Sequence, residues 1–162
     1  MKFFNFKNLL IVSLFLLNLI SCKNSSTNEF DEFVINSFNH CHTTKECTVN
    51  LTNLPFRWDR FYIFSENHYP EALTKEEISS ILGIKYNKNI SLNDRLIVFL
   101  LNGEIVYEIF ANYNSENLID SNRLLVDFYL DKKAPPFFER NNAEFIIKKT
   151  DGYYALYWRS NK

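Results

Sequence analysis

The chain contains 162 residues, of which 46% are hydrophobic and 17% aromatic, and its formal net charge is −1. This length fits one ordinary domain, and a weakly acidic chain is a poor candidate for binding nucleic acid phosphates. Phosphate loops and nucleophile elbows are also excluded, because they need glycine and we assign all three glycines to a helix end and two turns.

The first 21 residues have the three parts of a bacterial signal peptide. Two lysines form a positive amino-terminal region, and an apolar stretch over 9–20 follows, shorter than the roughly 20 residues that a lasting transmembrane helix needs. The segment Leu19-Ile20-Ser21-Cys22 resembles the lipobox of bacterial lipoproteins. This resemblance implies cleavage after Ser21 and lipid attachment at Cys22. The alternative is an ordinary cleaved signal peptide with a chance cysteine.

Cleavage at this site divides the chain into three parts. Residues 1–21 are the signal peptide, residues 22–28 are a polar lipidated tether, and residues 29–162 are a single α+β domain. Because the leader holds two lysines and no acidic residue, its removal changes the net charge from −1 to −3. The implied location is the cell envelope, where acyl chains on Cys22 contact the membrane and the domain faces the periplasm or the cell exterior.

Two cysteines remain after lipidation, and they are six residues apart. We expect Cys41 and Cys47 to form a disulfide, because an extracytoplasmic location permits one. Free thiols are the alternative. A metal site built from these cysteines with His40 and His42 is disfavoured, since adjacent residues rarely aim at one tetrahedral centre and the usual paired spacing is missing.

Two short helices are predicted. Apolar residues at helical spacing indicate the first over 29–40. Thr74 and Glu77 have the spacing of a capping box, and Gly83 suits a helix end, so the second helix runs over 75–82. At two turns this helix needs an apolar surface to lie on.

Two hairpins with two-residue turns are predicted. In the first, Asn102-Gly103 suits a type I′ turn. Counting from this turn gives one apolar face and places Glu104 and Glu108 on the other face with Arg95. The expected opposite pairs are Leu100 with Ile105, Val98 with Tyr107, and Leu96 with Ile109.

The second hairpin turns at Asp151-Gly152. The same counting pairs Phe145 with Trp158, Ile147 with Leu156, and Lys149 with Tyr154. Further strands are predicted over 48–51, 58–64 and 124–130. Strands with isolated helices, and no alternation of strand and helix, indicate an α+β fold. We expect an antiparallel sheet of five to six strands with one or two short helices packed on one face.

The loop over 65–70 contains the residues most suggestive of catalysis. Glu66 and His68 lie two residues apart, and a carboxylate with an imidazole can serve as acid and base. The pair could equally belong to a polar loop that satisfies its own backbone, because no third group or nucleophile is identifiable. We expect neither a cofactor nor a metal.

Two other segments are candidates for binding surfaces. Arg57 and Trp58 could present a guanidinium and an indole to a sugar or an anion, or could belong to a strand with outward charges. Phe137 and Phe138 follow a rigid Ala-Pro-Pro connection. If exposed, these two rings would mark a partner site; if folded back, they would close one end of the core.

The strand 58–64, the helix end 81–83 and the strand 96–99 are together similar to a group of small, uncharacterised bacterial lipoproteins. This resemblance implies no activity. The leading hypothesis is a membrane-anchored, non-catalytic binding or interaction domain with a protein partner in the cell envelope. The alternatives are an envelope-acting hydrolytic enzyme that uses Glu66 and His68, and an immunity protein that neutralises a toxin.

Overall fold

A computed structural model describes most of the chain after the predicted tether. The described residues are 28–41, 46–65, 68–112, 125–131, 133–150 and 152–158. The predicted signal peptide, Cys22, His42, Glu66 and Asp151 lie outside them. In the described ranges no helix has both the length and the apolar character needed to span a membrane.

Two helices and two four-stranded sheets make up the described part of the chain. The helices are α1 (Glu29–Asn39) and α2 (Lys75–Leu82). The strands are β1 (Thr48–Asn50), β2 (Arg60–Phe64), β3 (Asp94–Leu101), β4 (Glu104–Asn112), β5 (Val126–Tyr129), β6 (Phe138–Glu139), β7 (Glu144–Thr150) and β8 (Tyr153–Trp158). The first sheet has the order β1-β7-β8-β5, and the second has the order β4-β3-β2-β6.

The α+β class is confirmed, whereas the prediction of one antiparallel sheet with five to six strands is wrong in two respects. The strands divide into two sheets of four. The first sheet is also mixed, because β5 runs parallel to β8. The second sheet is buried on both faces, so it can pack against another sheet and a helix at once.

Alternate residues of the second sheet enter different apolar cores. One face, including Phe61, Ile97 and Phe99, packs with α1 and the inner face of the first sheet. The other face packs with α2 and the segment that follows it. The side chains on this second face are Tyr62, Phe64, Leu96, Val98 and Leu100.

Helix α1 contributes to the core between the sheets. The Phe30 ring lies 5.9 Å from the ring of Phe99 in the second sheet and 5.8 Å from that of Phe128 in the first. At the other end of α1, Cys41 and Cys47 form a disulfide with an S–S distance of 2.00 Å. This bond fastens the end of α1 to the start of β1.

Both helix predictions are confirmed. In α2 the Glu77 amide donates to the Thr74 hydroxyl, and the Glu77 carboxylate accepts from the Thr74 amide at 2.8 Å. Gly83 ends the helix with a left-handed φ of 71°. The capping box and the glycine therefore set the boundaries of α2 at the predicted residues.

The first hairpin has the predicted turn but a different register. Asn102 and Gly103 both have positive φ, as a type I′ turn requires, and Leu100 lies opposite Ile105. Beyond this pair a β-bulge adds one residue to β4, Val106, so Phe99 lies opposite Tyr107.

The bulge makes several predicted pairs wrong, because one extra residue reverses the alternation of side chains. Val98 faces Glu108 rather than Tyr107, and Leu96 faces Phe110 rather than Ile109. Glu108 is consequently on the α2 side of the sheet. Arg95, predicted to share its face, pairs with Ala111 and lies on the side of the first sheet.

The second hairpin has all three predicted pairs. Phe145 lies opposite Trp158, Ile147 opposite Leu156, and Lys149 opposite Tyr154. The strands predicted over 48–51, 58–64 and 124–130 are present in shorter form as β1, β2 and β5, and Leu124 lies outside the described residues.

Candidate functional site

The structure describes only one member of the predicted acid and base pair, because Glu66 lies outside the described residues. His68 is half-buried, with its ring 5.1 Å from that of Tyr69, and burial lowers its pKa. A cavity of about 10 Å³ beside Ser65 and Tyr69 has room for one water-sized molecule. That cavity is too small to hold a substrate.

The two predicted binding segments contribute mainly to packing. Trp58 is buried, its indole nitrogen donates to the Leu51 carbonyl at 3.1 Å, and the Arg140 guanidinium lies 5.4 Å from its ring. Phe138 is buried between the sheets, and Phe137 is half-buried.

The other residues of these segments do not form a common surface with the buried rings. Phe137 packs 5.6 Å from the ring of Tyr62, on the α2 side of the second sheet. Arg57 is exposed. Within the described ranges, no three Cys, His, Asp or Glu side chains come together as metal ligands would.

The most accessible apolar surface follows β4, which forms one edge of the second sheet. β3 pairs with one side of this nine-residue strand, and no described strand pairs with its opposite side. Three of its apolar side chains are more than one-third exposed: Ile105, Val106 and Phe110. An open edge presents unpaired backbone N–H and C=O groups that can pair with another chain.

A cleft of about 420 Å³ adjoins this edge on the α2 side of the sheet. Its wall on β4 is formed by Ile105 and Glu108. The opposite wall is the segment 84–90, which follows α2 and contributes Lys85, Tyr86 and Asn87. The volume is sufficient for an amino acid side chain.

Hydrogen bonds hold the 84–90 segment against α2. The Ser79 hydroxyl accepts from the Tyr86 amide at 2.8 Å, and the Asn89 side-chain oxygen Oδ1 accepts from the Lys75 amide at 2.8 Å. Leu73 and Ile90 exchange two backbone hydrogen bonds of 2.9 and 2.8 Å. These bonds fix the wall of the cleft relative to α2.

Two charges in or beside the cleft form a close pair. The Lys88 ammonium lies 2.6 Å from a carboxylate oxygen of Glu108, and it also lies 5.7 Å from the ring centre of Phe110. The Lys88 side chain is 52% exposed and that of Glu108 is 24% exposed. This pair neutralises the Glu108 charge next to the exposed apolar residues of β4.

A buried tyrosine on the wall of the cleft interacts with Glu108. Tyr86 is 4% exposed, and its hydroxyl oxygen is shielded from solvent. Burial, then the charge of Glu108 and a hydrogen bond to its carboxylate, raise the pKa of Tyr86 far above its ordinary value. The hydroxyl therefore keeps its proton at neutral pH and can donate to the Glu108 carboxylate.

The residues of this site were not identified from the sequence. Lys85 and Tyr86 belong to a polar loop without a motif, and Glu108 was assigned to the wrong neighbours. The available signal was the pair Ile105-Val106, where two apolar residues interrupt the alternation of β4 and mark the bulge.

Comparison with known proteins gives no match: no family model, no curated protein and no solved structure is detectably similar to this chain. The geometry of the site is therefore the basis for assigning a function.

Proposed function

We propose that this chain is a lipid-anchored protein of the bacterial cell envelope, and that its folded part binds an extended segment of another envelope protein along β4. The lipobox-like sequence ending at Cys22 supports the anchor. The observation that carries the binding function is the edge of β4 that no described strand covers, with its three exposed apolar side chains and the adjoining cleft.

An extended segment fits this surface for two physical reasons. The free N–H and C=O groups of an edge strand bond to the main chain of an added strand, which provides affinity with little dependence on sequence. Side chains next to each other on neighbouring strands then contribute about 0.2–1 kcal/mol per pair. Ile105, Val106 and Phe110 supply the apolar contacts, and the cleft supplies a polar one.

The anchor is tested by metabolic labelling with a fatty acid analogue. The wild-type chain should incorporate the label and fractionate with membranes, whereas C22S should do neither. An unlabelled wild-type chain that retains its amino-terminal methionine would exclude the anchor.

The binding surface is tested by photo-cross-linking in cells that make the protein. A photoreactive amino acid at Val106 or Phe110 should give the same adduct with one partner, and the control at Leu92, which is 47% exposed on the loop before β3, should give none. V106K adds a charge to the open edge and should abolish the adduct formed from position 110. Equal adducts from positions 92 and 110, or none from β4 in a labelled and folded protein, would reject this surface.

A further inference from the structure

The accessible apolar side chains of β4 lie mainly on the α2 side of the second sheet. The partners of Ile105, Glu108 and Phe110 in β3 all belong to the core on that side. These partners are Leu100, Val98 and Leu96, respectively. On the opposite side of β4, by contrast, Ile109 and Ala111 are 7% and 2% exposed. A segment that pairs with β4 therefore meets accessible apolar surface with one of its two faces.

The bulge gives these three side chains the spacing of a regular strand. Their β3 partners are two residues apart in each case, because the bulge places two residues of β4 opposite one of β3. Successive side chains of a regular strand point to opposite faces, so every second residue of an added strand lies on the α2 side. Three such residues can lie beside Ile105, Glu108 and Phe110 in turn.

The middle position differs from the two outer ones because it is charged and already paired. The Glu108 carboxylate lies 2.6 Å from the Lys88 ammonium, and the Tyr86 hydroxyl can donate to it as well. A carboxylate placed opposite Glu108 would face a like charge, which destabilises strand pairing. An ammonium would compete with Lys88. An amide or hydroxyl group avoids both effects, since an ionised carboxylate accepts about four hydrogen bonds and the Glu108 side chain is 24% exposed.

We propose that the segment bound along β4 is an uncharged alternating strand, with apolar side chains opposite Ile105 and Phe110 and an amide or hydroxyl side chain opposite Glu108. This inference rests on the proposed function, because it specifies the segment that the edge of β4 binds. The outer side chains add apolar contact with Ile105 and Phe110, which are 37% and 36% exposed. The middle side chain donates to the Glu108 carboxylate, while the Lys88–Glu108 pair remains intact.

Four short peptides with capped ends test this pattern on the full chain purified in detergent, with amide shifts followed by NMR. The reference peptide is Thr-Val-Thr-Gln-Thr-Val-Thr, which places both valines and the glutamine on one face. Two variants have glutamate or lysine in place of the glutamine. The fourth peptide, Thr-Val-Thr-Gln-Val-Thr-Thr, has the same composition as the reference but places its valines on opposite faces.

The reference peptide should give saturable shifts along 105–110, with a dissociation constant on the order of millimolar. The other three peptides should bind about threefold to fivefold more weakly, because each loses or opposes one favourable pair of side chains across the strands.

Two variants of the protein assign the selectivity to Glu108. E108Q removes the carboxylate that neutralises Lys88, so the glutamate peptide should bind E108Q at least as tightly as the reference peptide does. E104Q is the matched control, because Glu104 is exposed at the start of β4 and lies opposite Leu101. E104Q should keep the order of affinities seen with the wild type. The wild-type order in E108Q would overturn the role of Glu108.

The uncharged alternating pattern is overturned if the reference peptide gives no saturable shifts, if the glutamate or lysine peptide binds the wild type as tightly as the reference does, or if the two peptides of equal composition bind equally. These failures differ from failure of the proposed function. Adducts from positions 106 and 110 without this peptide selectivity would retain the strand interface and reject the pattern. Peptide selectivity without adducts would reject the envelope partner and retain the pattern.

Discussion

Replacement of Asp31 by asparagine should change the pH dependence of stability. Asp31 lies in the first turn of α1 and is 1% exposed. One of its carboxylate oxygens accepts from the Asn28 side chain at 3.1 Å. Burial raises the pKa of Asp31 from 3.8 to about 7, against the opposing effect of hydrogen bonds from the Leu125 backbone and the Asn28 side chain.

The sign of the effect follows from which state holds the proton. Well below pH 3.8 Asp31 is protonated in both the folded and the unfolded chain, so it does not change the free energy of unfolding. As the pH rises towards 7, the unfolded chain releases this proton while the folded chain retains it, and the free energy of unfolding falls. Each pH unit between the two pKa values corresponds to about 1.4 kcal/mol, which gives a total loss of roughly 4 kcal/mol.

Urea denaturation measures this loss, with tryptophan fluorescence as the signal because Trp58 is buried. D31N cannot ionise, so its stability relative to the wild type should rise by roughly 4 kcal/mol between pH 4 and pH 8. D131N removes a carboxylate from an exposed residue and is the control, since exposed charges contribute little. A wild type and a D31N variant with parallel stability curves over this range would refute the reasoning.

Three other substitutions test the packing of the two sheets and α2. The Asp127 carboxylate in the first sheet lies 2.8 Å from the Arg95 guanidinium in the second. R95M removes this partner and should lower the free energy of unfolding, measured in urea, by about 3–5 kcal/mol. A loss below about 1 kcal/mol would contradict a buried pair between the sheets. T74A removes the cap of α2 and should cost about 1 kcal/mol, with an unchanged melting temperature as the contrary result. W58F removes the hydrogen bond to the Leu51 carbonyl and leaves a small cavity, so thermal unfolding should show a loss of about 1–3 kcal/mol.

Helix ends and turns were predictable from the sequence because the signals for them act over a few residues. Helix α2 begins and ends at the expected residues. Thr74 and Glu77 satisfy backbone groups at its start, and Gly83 redirects the backbone at its end. The Asn102-Gly103 turn follows from the two positive φ angles that these residues tolerate. Such signals require no knowledge of the rest of the fold.

The division into two sheets was not predictable from the same local signals. Alternation in β5 indicates that Val126 and Phe128 are buried but does not identify β8 as the neighbour or a parallel direction. The unbroken apolar run over 96–101 in β3 was the available sign, because strands buried on both faces lack alternation. This apolar run indicated that both faces of β3 are covered, which a single sheet with helices on one face does not provide.

The candidate site depends on the β-bulge in β4, which is missed when strand pairs are counted outward from the turn. The extra residue Val106 moves Glu108 to the α2 side of the sheet, next to Lys88 and Tyr86. Without the bulge, the same sequence would direct Glu108 towards the first sheet. The fold class could therefore be predicted from the pattern of residues, whereas the site required the actual register.

The pairing of β1 with β7 has a consequence for the order of assembly. Thr48 and Ile146 are neighbours in the first sheet, although about a hundred residues separate them along the chain. In chain order β2, β3 and β4 precede β7, so until the last strands are present α1 is the main cover of the face that bears Phe61 and Phe99. Distant pairings of this kind slow folding and leave incomplete chains prone to aggregation. A chain that ends before Glu144 would therefore lack β7 and β8 and leave much of the Phe61 and Phe99 face exposed to other incomplete chains.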